Sequence, residues 1–157
     1  MAAAARDQFF SALHTVHLKP RGYRKVRHTF SRQRDRYAEH FQFQGSSWND
    51  EKSDWRFYLN CGISFDDLPR RSPDMDFPRT HASARAPHLV PAALPHYDIS
   101  ASDPTCLVPD IVAIVDACSE YFARRHEYLK EAYLRKDYKW AFLNDPELQS
   151  LRRPGAA

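Results

Sequence analysis

The chain has 157 residues, 43% of them hydrophobic and 13% aromatic, which excludes a disordered polymer and is enough for one packed domain without disulfide or metal staples. A formal charge of +3, from 23 basic and 20 acidic side chains, is too mild to argue for nucleic acid by itself. No apolar run approaches the roughly 20 residues of a membrane span. The opening MAAAARDQFF lacks the basic-then-apolar order of a signal peptide, so a cytoplasmic protein is expected.

The first element reads as a helix over about 3–18. Phe9, Leu13 and Val16 form its apolar stripe, and Pro20 and Gly22 stop it. A strand is expected over about 23–33, with Val26, His28 and Phe30 on one parity. RQRDR (32–36) connects it to a second strand over about 37–46. There Tyr37, Glu39, Phe41 and Phe43 alternate with Ala38, His40, Gln42 and Gln44, so Glu39 is a polar mismatch, placed near the open end of the strand. WRFYLNCGISF (55–65) alternates almost without a slip and reads as the third strand of an antiparallel meander.

Eight of the eleven prolines fall in 66–109, which rules out central strands and helix interiors there. Extended pieces are expected at 88–90 and 97–99, one of them an edge strand. Helix returns at Pro109 and runs to about Arg125, with Ile111, Ile114, Val115, Cys118 and Phe122 as its stripe. A second helix is expected over about 127–137. KWAFL (139–143) then anchors the chain, and Asp145 caps a short last helix. Cys61, Cys106 and Cys118 are odd in number and form no C-x-x-C, so three free thiols are expected.

These pieces come in an informative order: a helix, LKPRGYRK, HTFSRQ, FQFQGSSW and FYLNCGI. Leu18, Lys19, Pro20, Gly22, Tyr23 and Lys25 match a turn pattern, Thr29, Phe30 and Arg32 a strand, Gln44 and Ser46 a second strand. Phe57, Asn60, Gly62 and Ile63 match a third. Over about the first 65 residues the chain resembles the bacterial family of domains of unknown function numbered 4304. The resemblance implies an α+β fold and no activity. Some members of that family occur near toxin systems, which implies an immunity or interaction role.

The polar faces of the strands pool His40, Gln42, Gln44, Arg56, Tyr58 and Asn60 into a candidate binding surface. Asn60 and Gln44 are expected side by side as backbone anchors, with Arg56, Tyr58 and His40 in a shallow recess. A basic strip is the second candidate. Eight Lys/Arg lie in 19–36 against Asp35 alone, among them Arg27, Arg32, Arg34 and Arg36. A solvated hairpin is the plainer account of that strip. Asp66, Asp67, Asp74 and Asp76 beside Arg70 and Arg71 match no cation-loop motif, and the eight histidines form no zinc spacing. No catalytic residue, metal or cofactor is expected, since no nucleophile elbow, phosphate cradle or metalloprotease motif occurs.

The expectation is a single α+β domain over 1–157: a curved antiparallel sheet of three to five strands, packed against an N-terminal helix and C-terminal helices. The expected function is a non-catalytic protein-binding module of immunity or antitoxin type. Its partner would be another protein, a toxin or an operon partner, and not nucleic acid or membrane. The competing expectation is an enzyme or nucleic-acid-processing protein that uses the polar face of the sheet.

Overall fold

Alternation between Tyr37 and Phe65 builds the centre of a sheet. The computed structural model describes residues 2–69 and 80–152. Its strands are β1 (Arg24–Val26), β2 (Thr29–Gln33), β3 (Tyr37–Gly45), β4 (Trp55–Phe65), β5 (Ala82–Arg85) and β6 (Tyr97–Ile99). Five run in the order β1-β2-β3-β4-β5. The sixth shares an edge: β5 pairs with Asn60–Ile63 of β4, and β6 pairs with Trp55–Phe57 of the same strand. All pairings are antiparallel. The sheet is curved and open, with the N-terminal helix and the long C-terminal helix packed on its apolar face, so the fold is α+β.

One parity of β3 and β4 faces those helices. Phe41, Phe43, Phe57, Leu59, Cys61 and Ile63 are all buried. Helix α1 (Ala2–Ala12) presses Phe9 and Phe10 onto them. The Phe9 ring lies 5.7 Å from Phe57 and 6.1 Å from Phe43, and Phe10 meets Phe43 edge-on at 5.3 Å. Each such ring pair contributes about 0.5–1.5 kcal/mol beyond its buried area. Helix α2 (Val108–Leu134) covers the other half with Ile111, Val115, Cys118 and Phe122.

The N-terminal helix changes pitch where the stripe was expected to continue. Leu13–Leu18 forms a π-helical turn, with the Lys19 N–H donating to His14 O at 2.8 Å. Wider turns put Leu13 and Leu18, five residues apart, on the same buried side, and leave Val16 exposed instead of in the core. The helix ends in a Schellman motif. Tyr23 N–H donates to Leu18 O (3.0 Å) and Gly22 N–H to Lys19 O (3.0 Å), with Gly22 at φ 89°. Gly45 serves a different need, because a Cβ there would sit 2.9 Å from the Trp55 ring.

The single strand expected over 23–33 is a hairpin. β1 folds back on β2 through Arg27 and His28, with Arg27 at φ 54°. A tight hairpin needs positive φ in its loop, and here a non-glycine residue supplies it. Val26 therefore lies exposed on an edge strand, while His28 stacks on Phe10 at 4.7 Å. The two helices expected after Pro109 are one, α2. Ala123–Glu127 carries no core residue, but its side chains are helix formers and the helix runs straight through. Two short helices follow, α3 (Ala141–Asn144) and α4 (Pro146–Arg152). Asp145 caps α4 as expected, accepting the Glu147 N–H at 2.9 Å, and also takes Tyr121 and Arg125.

Much of the proline-rich stretch wraps the core. Ala86, Leu89, Ala93, Tyr97 and Ile99 are buried. Residues 97–99 form the expected edge strand, β6. Residues 88–90 are not extended: Pro87 starts a 3-10 turn over Ala86–His88, closed by Leu89 and Val90 N–H groups donating to Ala86 O. Arg70, Arg71, Asp74 and Asp76 lie outside the described residues.

Two further features tie helix to sheet. Glu39 is not at an open strand end but fully buried. Its carboxylate accepts the Tyr23 hydroxyl (2.5 Å), Arg32 Nε (2.8 Å) and the Ser119 hydroxyl (3.0 Å). Cys61 on β4 faces Cys118 on α2 with the sulfurs 3.5 Å apart and unbonded. Burial pushes the Cys61 thiol up, so it is inert in the native state. Thiol titration of protein prepared without reductant and shielded from air should count three thiols after unfolding. Only the exposed Cys106 should react quickly before it. A count of one after unfolding would contradict this.

Candidate functional site

The face of the sheet away from the helices is organised by register. Arg24 pairs with Ser31, Ser31 with His40, and His40 with Gly62, so these four form one row across β1–β4. The next row is Val26, Thr29, Gln42 and Asn60, continued by Arg85 on β5. Paired residues present side chains to the same face, so each row is a strip of neighbours. Over β1–β3 and the end of β4 the curvature makes a cleft of about 1510 Å³. Arg24 and Arg27 stand on its β1 wall, Ser31, His40 and Gln42 on its floor, and Asp66 at its far end.

His40 is the centre of the floor. Ser31 Oγ lies 2.7 Å from its Nδ1, and Ser64 Oγ lies 2.8 Å from its Nε2. Burial lowers its pKa to about 4, with the nearby His81 adding to the shift. Near neutral pH the ring therefore carries one N–H and one bare nitrogen. One serine must accept from the N–H and the other must donate to the bare nitrogen. The accepting serine keeps its own proton for another partner. His81 holds the rim: its Nδ1 accepts the Phe65 N–H (2.9 Å), so its Nε2 carries the proton donated to Pro69 O (2.8 Å).

Next to His40 lies an amide cluster. The Asn60 Nδ2 group donates to Gln42 Oε1 at 3.1 Å and to Gln44 Oε1 at 2.9 Å. Asn60 and Gln44 do sit side by side, as expected. Their bonds run to side chains rather than to loop backbone, so neither is a backbone anchor. Asn60 instead fixes the rotation of two glutamines. With its oxygen occupied, Gln44 turns its NH2 group outward.

Arg56 and Tyr58 are not in the recess with His40. Arg56 forms a two-pronged pair with Asp98 on β6, at 2.8 and 3.1 Å, and lines a second hollow of about 360 Å³ beside Trp48. Tyr58 lies under the Arg85 guanidinium, 4.1 Å from the ring centre. The reason is register. Gln44, not Gln42, pairs with Tyr58, which carries Tyr58 and Arg56 toward β6 and off the cleft.

The basic strip divides. Arg32 shares the parity of Phe30 and turns into the core, where it meets Glu39 and lies over the Tyr23 ring. It is not a surface cation. Arg27 sits at the tip of the β1–β2 hairpin, and Arg34 and Arg36 stand exposed in the β2–β3 turn, a different place. The residues that sequence reasoning missed are Ser31 and Ser64; Arg24 entered only as part of the basic strip, and Asp66 only as one of a group of loop carboxylates. Ser31 and Ser64 have the polar parity. Only the three-residue turn at 34–36, which sets Ser31 opposite His40, could have singled them out.

His40 carries a pH test. The unfolded imidazole titrates near 6.5 and the folded one at about 4, so between those values the unfolded chain binds more protons. Stability from this group is complete above 6.5 and is lost as pH falls toward 4, by up to about 3 kcal/mol. Burial also lowers the His28 pKa, which adds a slope common to wild type and variant. Urea midpoints of wild type and His40→Gln between pH 7 and 4.5 should converge as pH falls. Parallel curves would contradict the assignment.

These elements define a small α+β domain: an open antiparallel sheet with helices on one face and a polar cleft on the other. Residues 15–86 match the model of the family described as Domain of unknown function (DUF4304), in line with the resemblance seen in the motifs. The cleft lining runs from Gly22 to His81 and lies wholly inside that stretch. No curated protein and no solved structure matches the chain.

Proposed function

We propose that this chain is a non-catalytic cytoplasmic module that binds another protein on the polar face of its sheet, with an immunity-type role as the particular case. One observation carries the reading: the cleft floor is a preset array. His40 is held by two serines, and Gln42 and Gln44 by Asn60, before any partner arrives. Side chains already ordered lose little freedom on association, which favours binding. The immunity role rests on the family resemblance alone.

The competing reading, an enzyme, has one point in its favour. Ser31 and Ser64 place hydroxyls on an imidazole, the beginning of a nucleophile–base pair. Two features weigh against it. No carboxylate holds either nitrogen of His40, because both bond serines. A ring that protonates only near pH 4 is also a weak base for a serine hydroxyl at neutral pH.

A photo-crosslinking amino acid at Gln44, compared with one at Glu120 on the exposed side of α2, tests the reading in the source cell. The expected result is a protein adduct of one defined mass from position 44 and none from 120. Identical patterns from both positions, or an adduct removed by nuclease, would overturn it.

A further inference from the structure

The polar groups of the cleft are unequally matched. On its β1 wall, Arg24 and Arg27 are exposed, and neither has a carboxylate within ion-pair distance among the described residues. Several arginines on other faces are engaged, Arg21 with Asp116, Arg32 with Glu39, Arg56 with Asp98 and Arg125 with Asp145, while Arg34, like Arg24 and Arg27, has no ion pair among the described residues but lies in the β2–β3 turn, off the cleft. Two unused donors lie near the free pair. Asn60 fills the Gln44 oxygen, which leaves the Gln44 NH2 group facing out without a partner among the described residues. Ser31 and Ser64 share one neutral imidazole, so one of them retains a free hydroxyl proton. Among the described residues the one carboxylate on the lining is Asp66, at the far end, where the Gln33 Nε2 group sits 3.0 and 2.8 Å from its two oxygens. On the β1 side the cleft therefore offers donors and positive charge, and its one described carboxylate stands apart at the far end.

We infer that the cleft receives an extended acidic segment of a protein partner, whose carboxylates meet Arg24 and Arg27 and whose carbonyls take the Gln44 amide and the free serine hydroxyl. The inference rests on the protein-binding reading above and names the chemistry of what is bound. Dimensions agree with an extended peptide. From Ala38 to Gly45 the floor strand runs about 24 Å at 3.4 Å per residue, the length of about seven extended residues. Carboxylates suit the arginine fork, which holds two oxygens at once. Single-stranded nucleic acid is the other polyanion that fits two arginines. It is less well matched, because among the described residues the lining offers no exposed Phe, Tyr or Trp ring on which a base could stack. Phe43 and Phe65 on the lining are buried, and the exposed Trp48 borders the second hollow.

Selection of random displayed heptapeptides on the full chain tests this directly. The expected result is enrichment of Asp and Glu over Lys and Arg. The selected peptides should bind Arg24→Gln/Arg27→Gln at least tenfold more weakly, and Arg34→Gln/Arg36→Gln as they bind wild type. Thermal midpoints of both double variants should stay within a few degrees of wild type, so lost binding is not lost folding. Peptides that are neutral or basic, or that ignore Arg24 and Arg27, would overturn the acidic occupant while leaving a peptide-binding cleft. No selection above background would overturn the protein-binding reading as well. A ten-nucleotide single strand that displaces the selected peptides at a tenth of their own concentration would assign the cleft to nucleic acid instead.

Discussion

Glu39→Ala is expected to destabilise the protein by about 3–5 kcal/mol, the cost of breaking a buried ion pair from one side. Its carboxylate is the only acid in a cluster drawn from four places: Tyr23 after the first helix, Arg32 on β2, Glu39 on β3 and Ser119 on α2. Removing it strands the Arg32 guanidinium, whose side chain is 17% exposed. The remaining neighbours, the Ser119 hydroxyl, the Arg21 carbonyl and the Tyr23 ring, supply no negative charge. Burial, the largest cause of the raised Tyr23 phenol pKa, persists without Glu39, so the phenol stays protonated and cannot substitute. Arg32→Met/Glu39→Met removes both charges and should lose less than the sum of the single changes. Urea denaturation of the four proteins checks this. Strict additivity would show that the pair is not coupled.

Phe57→Ala should cost about 3–5 kcal/mol through lost burial and the cavity left behind. Phe57 is fully buried at the middle of the aromatic cluster. Its ring lies 5.2 Å from Phe43, 5.4 Å from Tyr97, 5.7 Å from Phe9 and 5.8 Å from Trp55. Those partners belong to β3, β6, α1 and β4, so they have their own backbone positions and cannot collapse together into the gap. A matched change on the opposite parity, Tyr58→Ala, deletes a ring that bears on Arg85 and His96 and should cost much less. Equal losses at 57 and 58 in thermal or urea unfolding would mean the parity of β4 is not what sorts its side chains.

That parity was readable because β3 and β4 alternate over long stretches, and a half-buried strand has no other period. The same rule carried more information about Arg32 and Glu39 than the basic run suggested. Both fall on the apolar parity of adjacent strands, with opposite charges, and they pair directly across β2 and β3. Two mismatches of opposite sign in register mark a buried pair. Other features left no trace of that kind. The hairpin at Arg27–His28 lacks the glycine, asparagine or aspartate that announces a positive φ. The π-turn at Leu13–Leu18 changes the helical period within a single turn, too short for a stripe to reveal. Strand β5, Ala82–Arg85, alternates Ala with Ser and Arg, but over only four residues and with apolar side chains too small to stand out as a stripe. The site was half legible for the same reason. Parity assigned His40, Gln42, Gln44 and Asn60 to one face, but the separation of Arg56 and Tyr58 from His40 depends on the placement of β6.

Binding on the cleft face has a direct measurement. Backbone and side-chain amide signals of the 15N-labelled chain can be titrated with the purified protein that crosslinks at position 44. The predicted result is shifts concentrated at Arg24, Ser31, His40 and the Gln44 side-chain NH2, with Trp48 and helices α3 and α4 unchanged. Shifts confined to the Trp48 hollow or to α3 and α4, with the cleft silent, would contradict the assignment of the polar face as the binding surface.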